Sequence, residues 1–246
     1  MRYFLELAYF GKAYHGWQRQ PNAISVQETV ENAISTILRQ KIEITGAGRT
    51  DAGVHASQLY AHFDTGENLD SAFAFRLNSL LPKDIAIHDL FQVNSQAHAR
   101  FDAISRSYEY HLVKRKDVFK VETAYYIQKE IDLLKMNEAA SILLDYSNFK
   151  SFSRSRTDVK TYNCTIEYAF WEKSGDELIF HIKADRFLRN MVRAIVGTLL
   201  QIGIGKQEVQ WMHEIIQSGD RSKAGASVPA HGLFLTKIEY PKSIFI

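Results

Sequence analysis

Residues 44–56 read ITGAGRTDAGVHA. A β-rich run ends at Thr45, glycines at 46, 48 and 53 make the middle a turn, and an alternating segment resumes at Val54. Strand, glycine turn and strand in immediate succession commit this part of the chain to a sheet. Arg49 and Asp51 sit inside the turn with one residue between them. Glycines permit backbone conformations closed to other residues and let a ligand approach closely. A carboxylate held there beside a cation is a candidate nucleophile or base. A lone Asp-Ala-Gly would more simply be a turn former, so the flanks decide.

Working outward, residues 2–10 alternate as a half-buried strand. The loop after them, FGKAYHGWQRQ, carries Gly11 and Gly16 and is expected to expose Tyr14, Trp17 and Gln18. Ser25 and Glu28 have capping-box spacing, and Val26, Val30, Ala33, Ile34, Ile37 and Leu38 form one helical stripe. Strands are expected over 41–45, 54–65 and 85–91. Between the last two, Asp70 is expected to cap a helix carrying Phe73, Leu77, Leu80 and Leu81, which Pro82 stops. The order βαββαβ is the ferredoxin-like unit.

After HARF (98–101) the plan repeats. A strand over 106–114 puts Tyr108, Tyr110 and Leu112 on one face, a helix covers 136–144, and strands over 165–172 and 177–184 turn near Gly175. Residues 151–160 read as a polar, basic loop. Asp185 is expected to cap the best helix, with Leu188, Met191, Val192, Ile195, Val196 and Leu199 on one side. Arg186, Arg189, Asn190 and Arg193 fall on the other. A helix with Val209, Met212, Ile215 and Ile216 ends at Gly219, and 232–240 closes as a strand. The expected architecture is α+β: two ferredoxin-like, RRM-like βαββαβ-type halves, 1–104 and 105–246, with mainly antiparallel sheets.

A composition of 46% hydrophobic and 24% charged residues is that of a globular protein and argues against disorder. The net charge of +2 is only mildly basic, so a nucleic-acid site must come from local clustering. Lys114, Arg115, Lys116, Arg154, Arg156, Arg186 and Arg189 are the candidates. Cys164 is the only cysteine, which excludes an internal disulfide and a cysteine metal cluster. No apolar run is long enough to span a bilayer. The first strand, with Glu6 inside it, is unlike a signal peptide. A reducing cytoplasm is the expected compartment.

Four chemistries compete for the turn. Gly46 and Gly48 begin a G-x-G-x-x-G match, but Asp51 occupies the third glycine position and would repel a pyrophosphate. A metal site of Asp51, His55 and His62 fails because residues seven apart on a strand point to opposite faces. Hydrogen-bonded histidines are expected instead, with neither metal nor cofactor. A plain RNA-binding sheet suits the paired halves. RSYEYHLV, however, lacks an RNP motif, and such a module has no use for a carboxylate at the centre of its basic surface. The fourth chemistry is RNA modification with Asp51 as the catalytic carboxylate.

On that reading the resemblance becomes specific. GRTDAGVHA (48–56) resembles the signature of the A-type tRNA pseudouridine synthases. The match extends through GWQRQ (16–20), SVQ (25–27), LP (81–82), HARF (98–101), R-x-Y-x-Y (106–110), NMVRAIVG (190–197) and A-x-G-L (230–233), in that order. The resemblance implies isomerisation of uridine to pseudouridine at positions 38, 39 and 40 of the tRNA anticodon stem-loop. It also implies no cofactor or metal, a homodimer, and a catalytic Asp in a basic central cleft between the halves, the pseudouridine synthase fold. Asp51 takes the catalytic position, Arg193 that of its basic partner, and Tyr108 that of the tyrosine packing on the target base. Arg49, Thr50, His55, Tyr108, Arg154, Arg186 and Arg189 are the implied RNA-binding residues, with Arg49 placed to fill the stack left by a flipped uridine. Spacing alone would leave Arg193 snorkelling off its helix and Tyr108 in the core. The alternative function is a non-catalytic RNA-binding module or tRNA chaperone on the same scaffold. One departure from the pattern lies in KTYNCTI (160–166), where many relatives carry an arginine and this chain has Asn163 and Cys164.

Overall fold

A computed structural model describes residues 1–70, 72–154 and 159–246, so Arg156 lies outside the described residues. The chain divides into two compact units, Met1–Ile104 with Leu235–Ile246, and Ser105–Phe234. The first runs β1 (Arg2–Tyr9), α1 (Val26–Leu38), β2 (Thr45–Gly46), β3 (His55–Asp64), α2 (Phe73–Leu80) and β4 (Ile85–Val93). β1 lies between β3 and β4 and is antiparallel to both. Phe4, Leu5 and Leu7 are completely buried, so the strand is covered on both faces here rather than half-buried. Ser25 caps α1 by accepting the Glu28 N–H at 3.3 Å, as the capping spacing predicts.

The strand expected over 41–45 shrinks to the two residues of β2. Side chains of α1 take over the ladder's task. Ser35 Oγ accepts the Ile42 N–H at 2.9 Å, Glu31 accepts the Ile44 N–H at 3.0 Å, and Gln27 donates to the Ile44 carbonyl at 2.9 Å. Buried backbone groups need partners but not necessarily a neighbouring strand. Asp70 does not cap α2 with its side chain; its carboxylate pairs with Arg76 at 3.0 Å, and Leu80 is exposed.

The second unit runs β5 (Ser105–Val113), β6 (Tyr125–Tyr126), α3 (Leu133–Ser141), β7 (Ile166–Ser174), β8 (Glu177–Ala184), α4 (Met191–Gly203) and α5 (Trp211–Ser218). β8 is antiparallel to both β5 and β7, and β6 adds a short parallel pairing to β5. β7 and β8 turn at Gly175, whose φ of +60° suits a residue without a side chain. α3, capped by Asp132, packs on β7 and α4. β9 (Leu233–Glu239) then returns the chain to the first unit, where it lies beside β3. There the Tyr240 ring meets Phe4 and Tyr60 edge-on at 5.3 and 5.2 Å, which places 235–246 with the N-terminal residues rather than with 105–234.

α4 begins later than the sequence suggests. Asn190 precedes it in the left-handed region at φ +66°, so Arg186, Arg189 and Asn190 lie outside the helix. Asp185 closes the end of the β7–β8 pair instead of capping: its Oδ1 accepts the Thr165 and Arg186 N–H groups, both at 2.7 Å. Within α4 only Arg193 and Gln201 keep partial exposure. A helix apolar on nearly every side is a core element. The α+β class and the mostly antiparallel sheet agree with the expected architecture. Among the described residues no helix is long and apolar enough to cross a membrane.

Candidate active site

The glycine turn rests on the loop that follows β1. The Ala47 N–H donates to the Tyr60 carbonyl at 2.8 Å, which ends β2 against β3. Beyond it, Gly53 adopts φ +78° and donates to the Tyr14 carbonyl at 3.3 Å, while the Val54 N–H closes on the Asp51 carbonyl at 3.2 Å. Gly16 meets the turn from below with φ +87°; a Cβ there would stand 2.2 Å from the Thr50 carbonyl oxygen. No other residue fits that position.

Tyr14 and Trp17, expected to be exposed, are buried at 6% and 2% exposure, and of the three only Gln18 faces solvent. Their burial has a visible cause. The Tyr14 hydroxyl donates to Asp84 Oδ1 at 2.7 Å, and its pKa is raised by burial and by that carboxylate. The Trp17 backbone N–H donates to Thr50 Oγ1 at 3.1 Å, and Tyr9 Oη lies 2.8 Å from the same hydroxyl. A hydroxyl engaged in this way lets the Tyr14 ring sit in the core.

Arg49, Thr50 and Asp51 therefore share one turn and His55 opens β3 just after it, but the four differ in exposure. Arg49 is exposed and Asp51 partly exposed. The Thr50 hydroxyl is turned inward on Tyr9 and Trp17. His55 is 1% exposed, accepts the Gly11 N–H at 2.9 Å through Nδ1, and stacks on Phe10 at 4.4 Å. So buried, it supports the loop under the turn and offers no face to RNA. His62 accepts the Ala99 N–H at 3.1 Å. Both strand histidines are thus hydrogen-bonded, as expected. No group of three or more His, Cys, Asp or Glu side chains that could hold a metal occurs among the described residues.

The second unit carries the remaining candidates around the ends of β5 and β8 and the start of α4. Tyr108 is half-buried, with its ring edge-on to Phe187 at 5.1 Å. Arg106 donates to the Asp185 carbonyl at 2.8 Å, and the Arg154 N–H to the Arg189 carbonyl at 3.0 Å. Arg186 is partly exposed and Arg189 exposed.

Arg193 is held by the segment before β9: its Nε donates to the Val228 carbonyl at 2.8 Å, and the Val228 N–H returns to the Arg193 carbonyl at 3.2 Å. That segment is itself tied down by Arg221, which reaches the Gly225 carbonyl at 3.1 Å and Ser227 Oγ at 3.0 Å. Asn190 also donates to Ser227. Sequence reasoning missed Arg221 and Ser227, because a charged residue in a polar loop gives no sign that it binds backbone. Asn163, at the departure from the family pattern, bridges Asn148. Cys164 next to it is buried, with Sγ 3.9 Å from Met191 Sδ, and burial pushes its thiol up to about 12. An apolar cysteine thus occupies that position, seated against the first residue of α4.

A family model described as tRNA pseudouridine synthase matches residues 7–102 and 139–241. A tRNA pseudouridine synthase A of Parabacteroides distasonis is 51% identical over 246 residues, covering 99% of this chain and 98% of the relative. The protein of the same name from Porphyromonas gingivalis is 51% identical over 250 residues, covering 100% and 99%. That of Francisella tularensis is 39% identical over 246 residues, covering 99% and 95%.

Proposed function

The chain belongs to the tRNA pseudouridine synthase family, and from that premise we propose that it isomerises uridine to pseudouridine at positions 38, 39 and 40 of the tRNA anticodon stem-loop, with Asp51 as its catalytic carboxylate. The observation that carries the reading is the glycine turn. A partly exposed carboxylate sits at its tip while the residues around it are fixed to β1, to β3 and to the loop beneath. A catalytic group needs that combination of access and rigidity.

The uracil must leave its ribose, rotate and rejoin through C5. An ionised Asp51 acts on the sugar or the ring during this exchange. Arg193, held by Val228, takes the place of the basic residue that assists the carboxylate. Tyr108, steadied by Phe187, packs on the extruded base. Arg49, exposed beside Asp51, fills the vacated stack. Arg154, Arg186 and Arg189 bind the RNA backbone, Thr50 and His55 support the turn from within, and the working form is a cytoplasmic homodimer.

Asp51→Asn tests the reading. Turnover on a stem-loop transcript, followed by carbodiimide mapping of pseudouridine, should vanish while tRNA affinity and thermal stability stay near wild type. Turnover within about tenfold of wild type, or ~1.4 kcal/mol of transition-state stabilisation, would remove Asp51 from the chemistry.

A further inference from the structure

The side chain next to Asp51 is turned into the protein. Thr50 Oγ1 lies 2.8 Å from Tyr9 Oη and accepts the Trp17 N–H at 3.1 Å. A threonine hydroxyl has one proton and two lone pairs. The Trp17 N–H takes one lone pair, and the phenol takes either the proton or the second pair. The hydroxyl is thereby directed inward at two partners that are themselves fixed. Tyr9 is the last residue of β1 and 4% exposed. Trp17 accepts the Gln27 N–H on its carbonyl at 2.9 Å, which joins it to the first turn of α1, and its ring lies 6.3 Å from that of Tyr9.

Gly16, the residue before Trp17, also approaches the Thr50 carbonyl closely, so one segment holds both the hydroxyl and the peptide. A β-branched residue has few χ1 states, so fixing Oγ1 also fixes the direction in which the backbone leaves toward Asp51.

We propose that Thr50 is a positioning residue: its hydroxyl, clamped between Tyr9 and the Trp17 N–H, sets the orientation of the Asp51 carboxylate and makes no contact with RNA. This rests on the reading of Asp51 as the catalytic carboxylate. Misplacing a reacting group by an ångström costs up to about a hundredfold in rate, so the clamp should show in kcat. It should leave KM alone, because no binding group is removed.

The experiment compares kcat and KM on a stem-loop transcript for Thr50→Val, Thr50→Ser, Tyr9→Phe and the double variant Tyr9→Phe/Thr50→Val, with Asp51→Asn alongside. Thr50→Val is expected to lose about ten- to a hundredfold in kcat at unchanged KM. Thr50→Ser keeps the hydroxyl and should return to within a few-fold of wild type. Tyr9→Phe should fall in the same direction, and the double variant should be no worse than Thr50→Val, since both substitutions open one clamp.

Tyr9→Phe keeps the buried ring, so it tests the idea even if Thr50→Val does not fold. A raised KM at unchanged kcat in Thr50→Val would make Thr50 an RNA contact and overturn the proposal. Equal losses in Thr50→Ser and Thr50→Val would overturn it as well, as would a wild-type kcat in Tyr9→Phe. Wild-type kcat in Thr50→Val beside an inactive Asp51→Asn would sink the positioning role alone. An active Asp51→Asn would instead sink the reading on which it rests.

Discussion

Arg193 is where two roles of one side chain can be separated. Its Nε hydrogen bond to Val228 exists whatever the guanidinium does in catalysis. Losing such a bond costs about 0.5–1.5 kcal/mol, so Arg193→Met should lower stability by roughly that amount on structural grounds. If Arg193 also serves catalysis, its removal should lower turnover as well, by more than the stability loss explains. Arg193→Lys keeps the charge without the two-pronged geometry and should lie between wild type and the Met variant. Single-turnover rates for the three proteins decide. A Met variant with the stability loss but wild-type rates would leave Val228 as the whole reason for Arg193.

Two histidines, His111 and His62, give their strands opposite pH responses. His111 on β5 bridges Glu109 and Glu177 at 3.2 and 3.1 Å, and His181 on β8 reaches Glu172 at 3.1 Å. Burial alone would lower the His111 pKa, but its hydrogen bonds to Glu109 and Glu177 and their charges raise it. Its stabilisation is therefore full below about 6.5, the ordinary value, and is lost as pH rises through the raised folded value. His111→Gln should cost more stability at pH 6 than at pH 9 in urea melts. His62 on β3 behaves in the reverse sense. Burial, then the charges of Arg2 and His98, lower it to about 4, against the pull of Asp64 and Asp102. The unfolded chain then binds more protons between pH 6.5 and 4, so stability falls across that window, on the order of 2 kcal/mol with partial solvent screening. His62→Gln should flatten this acid limb, and an unchanged limb would point to another group.

The elements also show what the sequence could reveal. β1, α1, β3 and β8 were legible, because alternation and capping are local properties. The short β2 was not, since Gln27, Glu31 and Ser35 replace its ladder from another element. The start of α4 was misplaced because apolar spacing carries no record of a left-handed residue such as Asn190. At the candidate site, the turn that carries Asp51 was legible from its glycines. The inward turn of Thr50 and the burial of His55 depend on Tyr9, Trp17 and Gly11, which periodicity does not place beside them.

For the molecule as a whole, a net charge of +2 leaves RNA affinity to the placement of its cations. Three in the loop after β5 are committed to acids: Lys114 to Glu130 at 2.7 Å, Arg115 to Asp176 at 2.9 Å, and Lys120 to Glu177 at 2.5 Å. The salt-sensitive contacts should come instead from Arg154, Arg186 and Arg189. Each phosphate neutralised contributes about −0.7 to −0.9 to the log–log slope of affinity against salt. Arg186→Gln should make the slope shallower by roughly one unit, and Lys114→Gln should not change it. A wild-type slope near zero would contradict a phosphate-binding role for the arginines. Exhaustive dialysis against a chelator should leave turnover on a prefolded stem-loop intact; activity restored only by a transition metal would require a ligand set that sequence spacing did not reveal.

The burial of Cys164 against Met191 has one more consequence. As the chain's only cysteine, held as a protonated thiol, it is inert to maleimide and iodoacetamide while the second unit stays closed. A thiol reagent can consume it only when that packing opens. Mass spectrometry of alkylated protein against time would count those openings without any mutation, and tRNA that binds the closed form should slow the clock. A cysteine added at exposed Lys12 would then be the one site that takes a fluorophore.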